Sequence, residues 1–401
     1  MAHNKQKPGW NVYRFDQIAQ NMSKRVHPKD VDVEYYIGLE HLDPETLKIS
    51  RWGSPSDVDS TKLQFDVGDI IFGKRRVYQR KLGVAEFKGI CSAHALVLRA
   101  KPKVVLPDFL PFFMQSDFFM ELALSISVGS LSPTINWSTL AKQEFALPPL
   151  DEQRRIVEVL QAVEESINST RSVIYQMSRL KDSLLSKEFK KRLILETKPQ
   201  IVKHYTSLEK LVRFSRGLTY SGKDVVPQPT ITSTPCVGIP CITGSWNADL
   251  TKIVHVENVS EVNKNKRKVN EGAVLLIGSN GNPKRIGQCS YFSKENPYLF
   301  GGFLFMAESK DKNILASEYL YLLFSSPLLQ ESISIDSSGS TGLQNLSLDW
   351  IKSFQILLPD LEHQKDIISR FSKFLSQERN LEERLLFITN IKKTYLSEMI
   401  Q

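Results

Sequence analysis

The chain has 401 residues, of which 41% are hydrophobic and 24% are charged, and its formal net charge is +8. This is an ordinary globular composition, which excludes large-scale disorder, and the length predicts two or more domains. The positive charge favours a polyanionic partner, with nucleic acid the first candidate and an acidic membrane surface the second.

The cysteines and the apolar residues are distributed as in a cytoplasmic protein. Four cysteines, none of them in CxxC spacing, are too few for a disulfide framework or a zinc site, so we expect reduced thiols. No run of about 18 apolar residues is present, and the polar, basic residues 1–9 are not followed by an apolar stretch of signal length. We therefore expect neither secretion nor a membrane span.

The first segment, from about Trp10 to Leu147, alternates short β-branched runs with turn residues. This pattern predicts an α+β domain on an irregular sheet, with strands at Asp69 to Phe72 and at His94 to Leu98. We interpret His94, inside an apolar strand, as a core residue with satisfied hydrogen bonds. Residues 109–113 (FLPFF) predict one apolar helix.

A basic loop of sequence KRRVYQRK follows the first of these strands. Lysines in such a loop can neutralise phosphates, while arginine or glutamine can read base edges through two hydrogen bonds. The alternative is a solvated basic surface. The candidate nucleic-acid contacts are Lys74, Arg75, Arg76, Tyr78, Gln79, Arg80 and Lys81.

A long helix is predicted after residues 147–153, which read LPPLDEQ. The prolines hold the entering chain extended, and acidic residues follow where the first helical turn favours negative charge. A stripe with alternating spacings of four and three predicts packing against another helix along its length. The stripe consists of Ile156, Leu160, Val163, Ile167, Thr170, Ile174, Met177, Lys181 and Leu184.

The second half, from about His204 to Leu358, has the same order of segments, with strands predicted at Ala273 to Ile277 and at Gly302 to Met306. A loop of sequence GSNGNPKR stands where the basic loop stands in the first half. A third cationic cluster occupies residues 264–268 (KNKRK), and a solvated surface is again the alternative. The candidate contacts in the GSNGNPKR loop are Ser279, Asn280, Asn282, Lys284 and Arg285.

A second long helix follows residues 358–364 (LPDLEHQ), 211 positions after the first such opening. A constant offset over so long a stretch indicates an internal repeat, and thus two similar domains that face a target in two parts. Polar residues on the stripes would fix the register of the paired helices. The second stripe consists of Ile367, Phe371, Phe374, Glu378, Leu381, Leu385, Ile388, Lys392 and Tyr395.

The sequence contains no motif that supports catalysis. Two stretches, residues 68–74 and 217–223, match GxxxxGK, but Arg75 and Asp224 follow where a phosphate-binding loop needs Ser or Thr. Residues 296–298 (NPY) lack the second proline of the amino-methyltransferase signature, and neither a nucleophile elbow nor an HExxH motif occurs. We infer that the chain is not an enzyme.

The two helix openings, the strand within residues 68–72 (GDIIF) and the order domain, helix, domain, helix resemble the specificity (S) subunits of type I restriction-modification systems. The resemblance covers essentially the whole chain. It implies an α+β fold with two similar α/β recognition domains, two long helices that form an antiparallel coiled coil, and an internal pseudo-twofold repeat. The implied segments are recognition domains at residues 1–150 and 201–360, and spacer helices at residues 151–200 and 361–401.

The resemblance also implies a role and a set of partners. Each domain would read one half of a split double-stranded DNA target, and the helices would set the spacing between the halves. Two methyltransferase subunits and a restriction subunit would assemble on the chain, with S-adenosylmethionine and ATP on those partners and no cofactor here. Two alternatives remain at this point: a scaffold that binds only proteins, and an enzyme with a fused methyltransferase domain.

Overall fold

The structure is a computed structural model and describes residues 7–44, 46–194, 204–336 and 344–400. It divides into two compact units. The first unit is Met1–Ser172 together with Glu382–Gln401, and the second unit is Val173–Leu381. Each unit therefore contains a part of both long helices. Residues 195–203, where the predicted first spacer segment meets the second recognition segment, lie outside the described residues.

The first unit is built from short strands and short helices around the first part of a long helix. Its strands are β1 (Asn11–Arg14), β2 (Ala19–Asn21), β3 (Arg25–Val26), β4 (Tyr36–Ile37), β5 (Lys62–Phe65), β6 (Ile70–Gly73), β7 (Leu82–Val84), β8 (Gly89–Cys91), β9 (Ala95–Ala100) and β10 (Glu144–Leu147). Its helices are α1 (Phe15–Ile18), α2 (Phe109–Gln115), α3 (Asp117–Ser125), α4 (Trp137–Leu140) and the start of α5 (Leu150–Lys190).

Among the described residues, the second unit repeats this element order with three short strands and one short helix added. Its strands are β11 (Leu193–Ile194), β12 (Thr206–Ser207), β13 (Val212–Arg216), β14 (Val225–Val226), β15 (Thr234–Val237), β16 (Val254–Val256), β17 (Ala273–Ile277), β18 (Ser279–Asn280), β19 (Cys289–Phe292), β20 (Leu299–Phe300), β21 (Leu304–Ser309), β22 (Gln344–Asn345) and β23 (Gln355–Ile356). Its helices are α6 (Leu208–Leu211), α7 (Glu261–Arg267), α8 (Ser317–Ser325), α9 (Pro327–Asp336), α10 (Leu348–Ser353) and the start of α11 (Leu361–Ile400).

The main sheets of the two units correspond strand by strand. In the first unit the order is β2-β9-β6-β7, and in the second it is β13-β21-β17-β19. The second sheet differs at one place. It reads β3-β5-β8-β4 in the first unit but β14-β16-β15-β20 in the second, so the last two strands exchange places. The predicted α+β repeat is thus confirmed. The strand predicted at Ala273 to Ile277 has those ends, and the ends of the other three predicted strands are shifted by one to three residues.

Each unit has its own apolar core around the helix that follows the main sheet. All seven residues of α2 are buried, because its sequence FLPFFMQ offers no charged face. Phe15, Phe119 and Phe145 pack together with 5.5–5.7 Å between ring centroids. The equivalent helix α8 buries seven of its nine residues. All four cysteines are buried and free, as predicted. No described helix is long and apolar enough to cross a membrane.

The two long helices pair antiparallel inside each unit. In the first unit Ile156 and Leu160 share a core with Leu396 and Ile400 near the end of α11. In the second unit Leu185 and Phe189 share a core with Ile367 and Phe371 near its start. This confirms the antiparallel helix pair.

The predicted apolar stripe is wrong near the end of each helix. Leu184 is 37% exposed, whereas its neighbour Leu185 is 2% exposed; in α11 the buried residue is Leu396 rather than Tyr395. An ideal α-helix turns ~100° per residue, so position 184 lies ~80° around the helix from position 156 but position 185 only ~20° away. A strict seven-residue repeat therefore drifts off the buried face after four heptads.

A lysine on each stripe forms an ion pair with a glutamate of the other helix. Lys392 contacts Glu164 at 2.6 Å with side chains only 4% and 10% exposed, and it also donates to Gln115 Oε1 at 2.7 Å. Lys181, 211 positions earlier, contacts Glu378 at 2.9 Å with side chains 23% and 17% exposed. Buried polar pairs of this kind penalise other registers, because a slip would leave charges unpaired.

The glutamine that closes each helix-opening motif is fully buried and fully hydrogen-bonded. Gln153 accepts from the Leu106 N–H at 2.8 Å and donates to the carbonyls of Val104 and Pro148 at 3.1 and 2.9 Å. Gln364 makes the same three bonds, each at 2.9 Å. Its partners are the Ala316 N–H and the carbonyls of Ile314 and Pro359. We call each set the glutamine lock; it joins the loop before α2 or α8 to the start of a long helix.

Replacing a lock glutamine is expected to destabilise its unit. Gln153→Met removes both donors and the acceptor and leaves a buried N–H without a partner, which costs about 1–3 kcal/mol. Urea unfolding followed by circular dichroism measures the loss, and Gln161→Met, on the exposed face of α5, is the matched control. Equal midpoints for the two variants would contradict the role of the lock.

Removing Lys392 is expected to be more harmful than removing Lys181. Lys392→Met leaves the Glu164 carboxylate buried without its cation, which costs about 3–5 kcal/mol. Lys181→Met should cost less because its pair is closer to solvent, and Lys187→Met, at an exposed position, should cost almost nothing. Thermal unfolding gives the order. Partial recovery in Lys392→Met/Glu164→Gln would identify the unpaired charge as the cause.

Candidate nucleic-acid interface

The basic loop of the first unit is held rigidly at its backbone. Arg75 pairs with Thr134, and the Arg76 N–H donates to the Pro133 carbonyl at 2.7 Å. Val77, which is buried, begins a short 3-10 helix that ends at Gln79. Arg76 and Arg80 flank this helix with φ of 57° and 52°, a left-handed conformation that is costly for arginine and persists only where the surroundings enforce it.

The candidate side chains of this loop fall into two groups. Arg75, Arg76 and Tyr78 are exposed, and only a 3.5 Å contact to Ser132 Oγ engages the Arg76 guanidinium among the described residues. Arg80 instead forms an ion pair with Asp117 at 2.6 Å and donates to the Gln115 carbonyl at 2.7 Å. The remaining three side chains, half-buried, are Lys74, Gln79 and Lys81.

Lys81 and Lys74 have different surroundings. Lys81 Nζ donates to the Leu39 carbonyl at 2.6 Å, so this lysine holds the loop to the domain. Lys74 lines a cavity, and its pKa is lowered by burial and by the nearby Arg25. In this loop the side chains of Arg75, Arg76 and Tyr78 are therefore exposed, and Lys74 lines a cavity. Arg80 and Lys81 form contacts within the domain.

The loop of the second unit is ordered by its own amides. Ser279 pairs with Asn345, to which its hydroxyl also donates, and Asn280 Oδ1 accepts from the Asn282 N–H at 2.8 Å. Asn282 in turn caps the short 3-10 helix Pro283–Arg285 by accepting from the Lys284 N–H. Of the two cations in this loop, only Lys284 is exposed.

Arg285 is engaged within the second unit. Its guanidinium donates to the Ile242 carbonyl at 2.7 Å and to the Ile239 carbonyl at 3.3 Å. The third cationic cluster is also largely paired: Lys264 contacts Glu261 at 2.7 Å and Lys268 contacts Glu295 at 2.9 Å. Internal ion pairs of this kind leave fewer charges for a polyanion.

The two loops occupy equivalent places in the two units. The pairing of Arg75 with Thr134 in the first unit corresponds to the pairing of Ser279 with Asn345 in the second, since each follows the central strand of the main sheet. The same backbone frame thus presents a cationic surface in one unit and amide and hydroxyl groups in the other. Among the described residues there is no group of three or more His, Cys, Asp or Glu that could hold a metal ion.

A comparison with protein families identifies the repeat. The family described as the type I restriction modification DNA specificity domain matches residues 9–176 and again residues 229–387. The chain belongs to this family. The two matches cover most of each unit, so the internal repeat is a repeat of this specificity domain.

Individual relatives are specificity subunits of type I restriction enzymes. The specificity subunit of the type I restriction enzyme EcoDI from Escherichia coli is 30% identical over 203 residues, which are 47% of this chain and 44% of that subunit. The EcoKI specificity subunit from Escherichia coli strain K12 is 24% identical over 315 residues, 75% of this chain and 66% of that one. The aligned stretches thus span less than half and about two thirds of these relatives' own lengths.

Solved structures show the same fold. The S subunit of a type I restriction-modification system from M. genitalium aligns with a TM-score of 0.55 at 14% identity, covering 100% of this chain and 98% of that one. A chain from a structure on the assembly and conformational transition of the type I R-M system aligns with a TM-score of 0.55 at 18% identity, covering 100% and 99%.

Two residues beside the first specificity-domain loop escape detection by sequence. Arg25 and Lys62 lie 37 positions apart, but the pairing of β3 with β5 brings them to the cavity that Lys74 also lines. No local motif signals them, because only strand register places them together. The interpretation of His94 is wrong: it is exposed in the turn before β9, and its pKa is lowered by partial burial and by the nearby Arg75 and Lys74.

Alanine substitutions are expected to distinguish, by their effect on stability, the arginines bonded within the protein from the exposed cations. Arg80→Ala and Arg285→Ala each remove charged hydrogen bonds to backbone carbonyls and are expected to lower the free energy of unfolding by about 1.5–3 kcal/mol. Arg75→Ala and Lys284→Ala, at exposed positions, should stay within about 0.5 kcal/mol of the wild type. Chemical denaturation tests this. Uniform effects across the four variants would refute the division.

Proposed function

We propose that this chain is the DNA-recognition subunit of a type I restriction-modification complex. Each unit would read one half of a split double-stranded target, and the paired helices α5 and α11 would set the spacing between the halves. The observation that carries the proposal is the repeat of one specificity-domain fold with equivalent loops of unlike chemistry. Two copies of one fold can contact two parts of one duplex, and loops of unlike chemistry can recognise two different half-site sequences.

The two loops offer complementary modes of base reading. Arginine side chains such as Arg75 and Arg76 suit guanine, which presents two acceptors in the major groove. Asparagine side chains such as Asn280 suit adenine, which presents one donor and one acceptor. In the proposed complex the recognition segments are residues 1–150 and 201–360, and the spacer segments are residues 151–200 and 361–401.

In this proposal the chain binds DNA without modifying it. Two methyltransferase subunits would supply S-adenosylmethionine chemistry, and a restriction subunit would supply ATP-dependent cleavage. The sequence offers no catalytic motif, and the relatives that match are named specificity subunits. Within the complex, the specificity domains would be what directs the partner enzymes to one sequence.

The test measures the two half-sites separately. Methylation-sensitive sequencing of DNA from cells with and without the chain first gives the target. Duplexes with one half-site scrambled then report on each unit. Arg75→Ala or Arg76→Ala is expected to weaken recognition of one half-site only, by about 1–3 kcal/mol, if the guanidinium contacts a base edge.

Lys103→Ala, an exposed charge removed elsewhere in the first unit, is the matched control. Equal loss at both half-sites would overturn the assignment of one half-site to each unit. If the wild type binds its methyltransferase partners but shows no salt-dependent binding to any split duplex, the chain is a protein scaffold rather than a DNA reader.

A further inference from the structure

The cavity beside the basic loop of the first unit has a lining rich in cations. It measures about 250 Å³ and is lined by thirteen residues, among them Arg25, Lys62 and Lys74. None of the thirteen is Asp or Glu. Donors for hydrogen bonds surround the cations, namely the side chains of Asn21, Ser23, Thr61 and Asn136.

The backbone fixes these cations in place. Arg25 and Lys62 lie on adjacent strands, where Arg25 pairs with Leu63 and Val26 with Lys62. Side chains alternate between the two faces along a strand, so Arg25 and Lys62 leave the sheet on opposite faces, and Lys62 Nζ lies over the Tyr36 ring at 5.7 Å. The Lys74 N–H donates to the His94 carbonyl at 3.0 Å, and the Ile135 N–H donates to the Lys74 carbonyl at 2.9 Å. The backbone of the cavity wall is therefore held by β-sheet pairing and loop hydrogen bonds, while the Arg25 side chain is exposed.

The three cations form no ion pair among the described residues, although the nearby Asp59 partly offsets the lowering of the pKa of Lys62 by burial. In the described residues no carboxylate lies within ion-pair distance of Arg25, Lys62 or Lys74. Lys62 Nζ donates only to the carbonyl and hydroxyl of Ser60, at 2.7 and 2.6 Å, and Asp59 is turned to Lys29. Like charges around one partly buried space cost free energy unless an anion enters.

The second unit has a cavity of opposite character at a partly corresponding place, and no residue of the GSNGNPKR loop is among those that line it. It measures about 300 Å³ and is lined by Leu218, Tyr220, Val254, Phe303 and Leu304 among other uncharged residues. Leu304 begins β21 as Ala95 begins β9, and Val254 begins β16 as Lys62 begins β5. The fold alone thus does not require cations here, so their presence in the first unit needs another reason.

We propose that the cavity lined by Arg25, Lys62 and Lys74 binds a phosphate of the DNA backbone next to the half-site read by the first unit, and that the second unit has no such contact at the equivalent place. The inference rests on the proposed function. The cavity adjoins Arg75, so a duplex whose bases face the basic loop would bring a backbone phosphate to its mouth. An anion there would offset the cost of burying the Lys74 charge and the repulsion from Arg25, which together lower the pKa of Lys74.

The experiment compares Arg25→Gln and Lys74→Gln, singly and together, with Lys103→Gln, which removes the same charge from an exposed site in the first unit. The full chain is used in the assembly in which the wild type binds DNA, and thermal unfolding confirms that each variant folds. Loss of one phosphate contact should reduce the slope of log affinity against log salt by about 0.9 and weaken binding equally for all sequences.

Ethylation of single phosphates in the duplex locates the contact. With wild type, ethylation of a phosphate beside the first unit's half-site should block binding. With Arg25→Gln/Lys74→Gln this one interference signal should disappear, while signals at the other half-site persist.

The negative results distinguish a failure of the phosphate site from a failure of the proposed function. If the wild type recognises a split target but the double variant keeps the slope and the interference pattern of Lys103→Gln, the phosphate site is wrong and the proposed function stands. If the wild type recognises no split target, both fall. If inorganic phosphate binds the cavity of free wild type while DNA contacts are unchanged in the double variant, the cavity is a site for free anions and the proposal is overturned.

Discussion

The glutamine lock is the interaction on which the architecture depends. Gln153 and Gln364 are buried at the start of the long helices, and a buried primary amide must satisfy its donors and its acceptor inside the protein. Each does so by clamping the loop that precedes an apolar core helix. The direction of each long helix is therefore fixed relative to the core of the unit in which it begins. The lysine and glutamate pairs then fix the register of the partner helix in each unit.

Much of this was predictable because it depends on local pattern. The helix openings, the stripe spacing and the offset of 211 residues predict two domains and two pairing helices. The failures have physical reasons. Leu185 and Leu396 replace Leu184 and Tyr395 in the core because the helix period is not 3.5 residues over four heptads. His94 looks like part of a strand in sequence, yet the strand begins one residue later.

The proposed nucleic-acid interface was less predictable than the fold. The sequence identifies a cluster of cations, but it does not show which of them form ion pairs or hydrogen bonds within the protein. Arg80 and Arg285 lie in the predicted loops, but Arg80 forms an ion pair with a carboxylate and Arg285 donates to backbone carbonyls. Arg25 and Lys62 carry no local signal and meet only through strand pairing. The long-range contacts that decide availability are not encoded in spacing along the chain.

The partners of the lock have a consequence for how such a protein can change its target. Every bond of Gln153 goes to a main-chain group, those of Leu106, Val104 and Pro148, and the same holds for Gln364. These three bonds are therefore indifferent to side-chain identity in the domain. A foreign domain with the same backbone path could form them with the resident glutamine, so that an exchange of domains would need matching side chains only at the apolar core and at contacts such as that of Lys392 with Gln115.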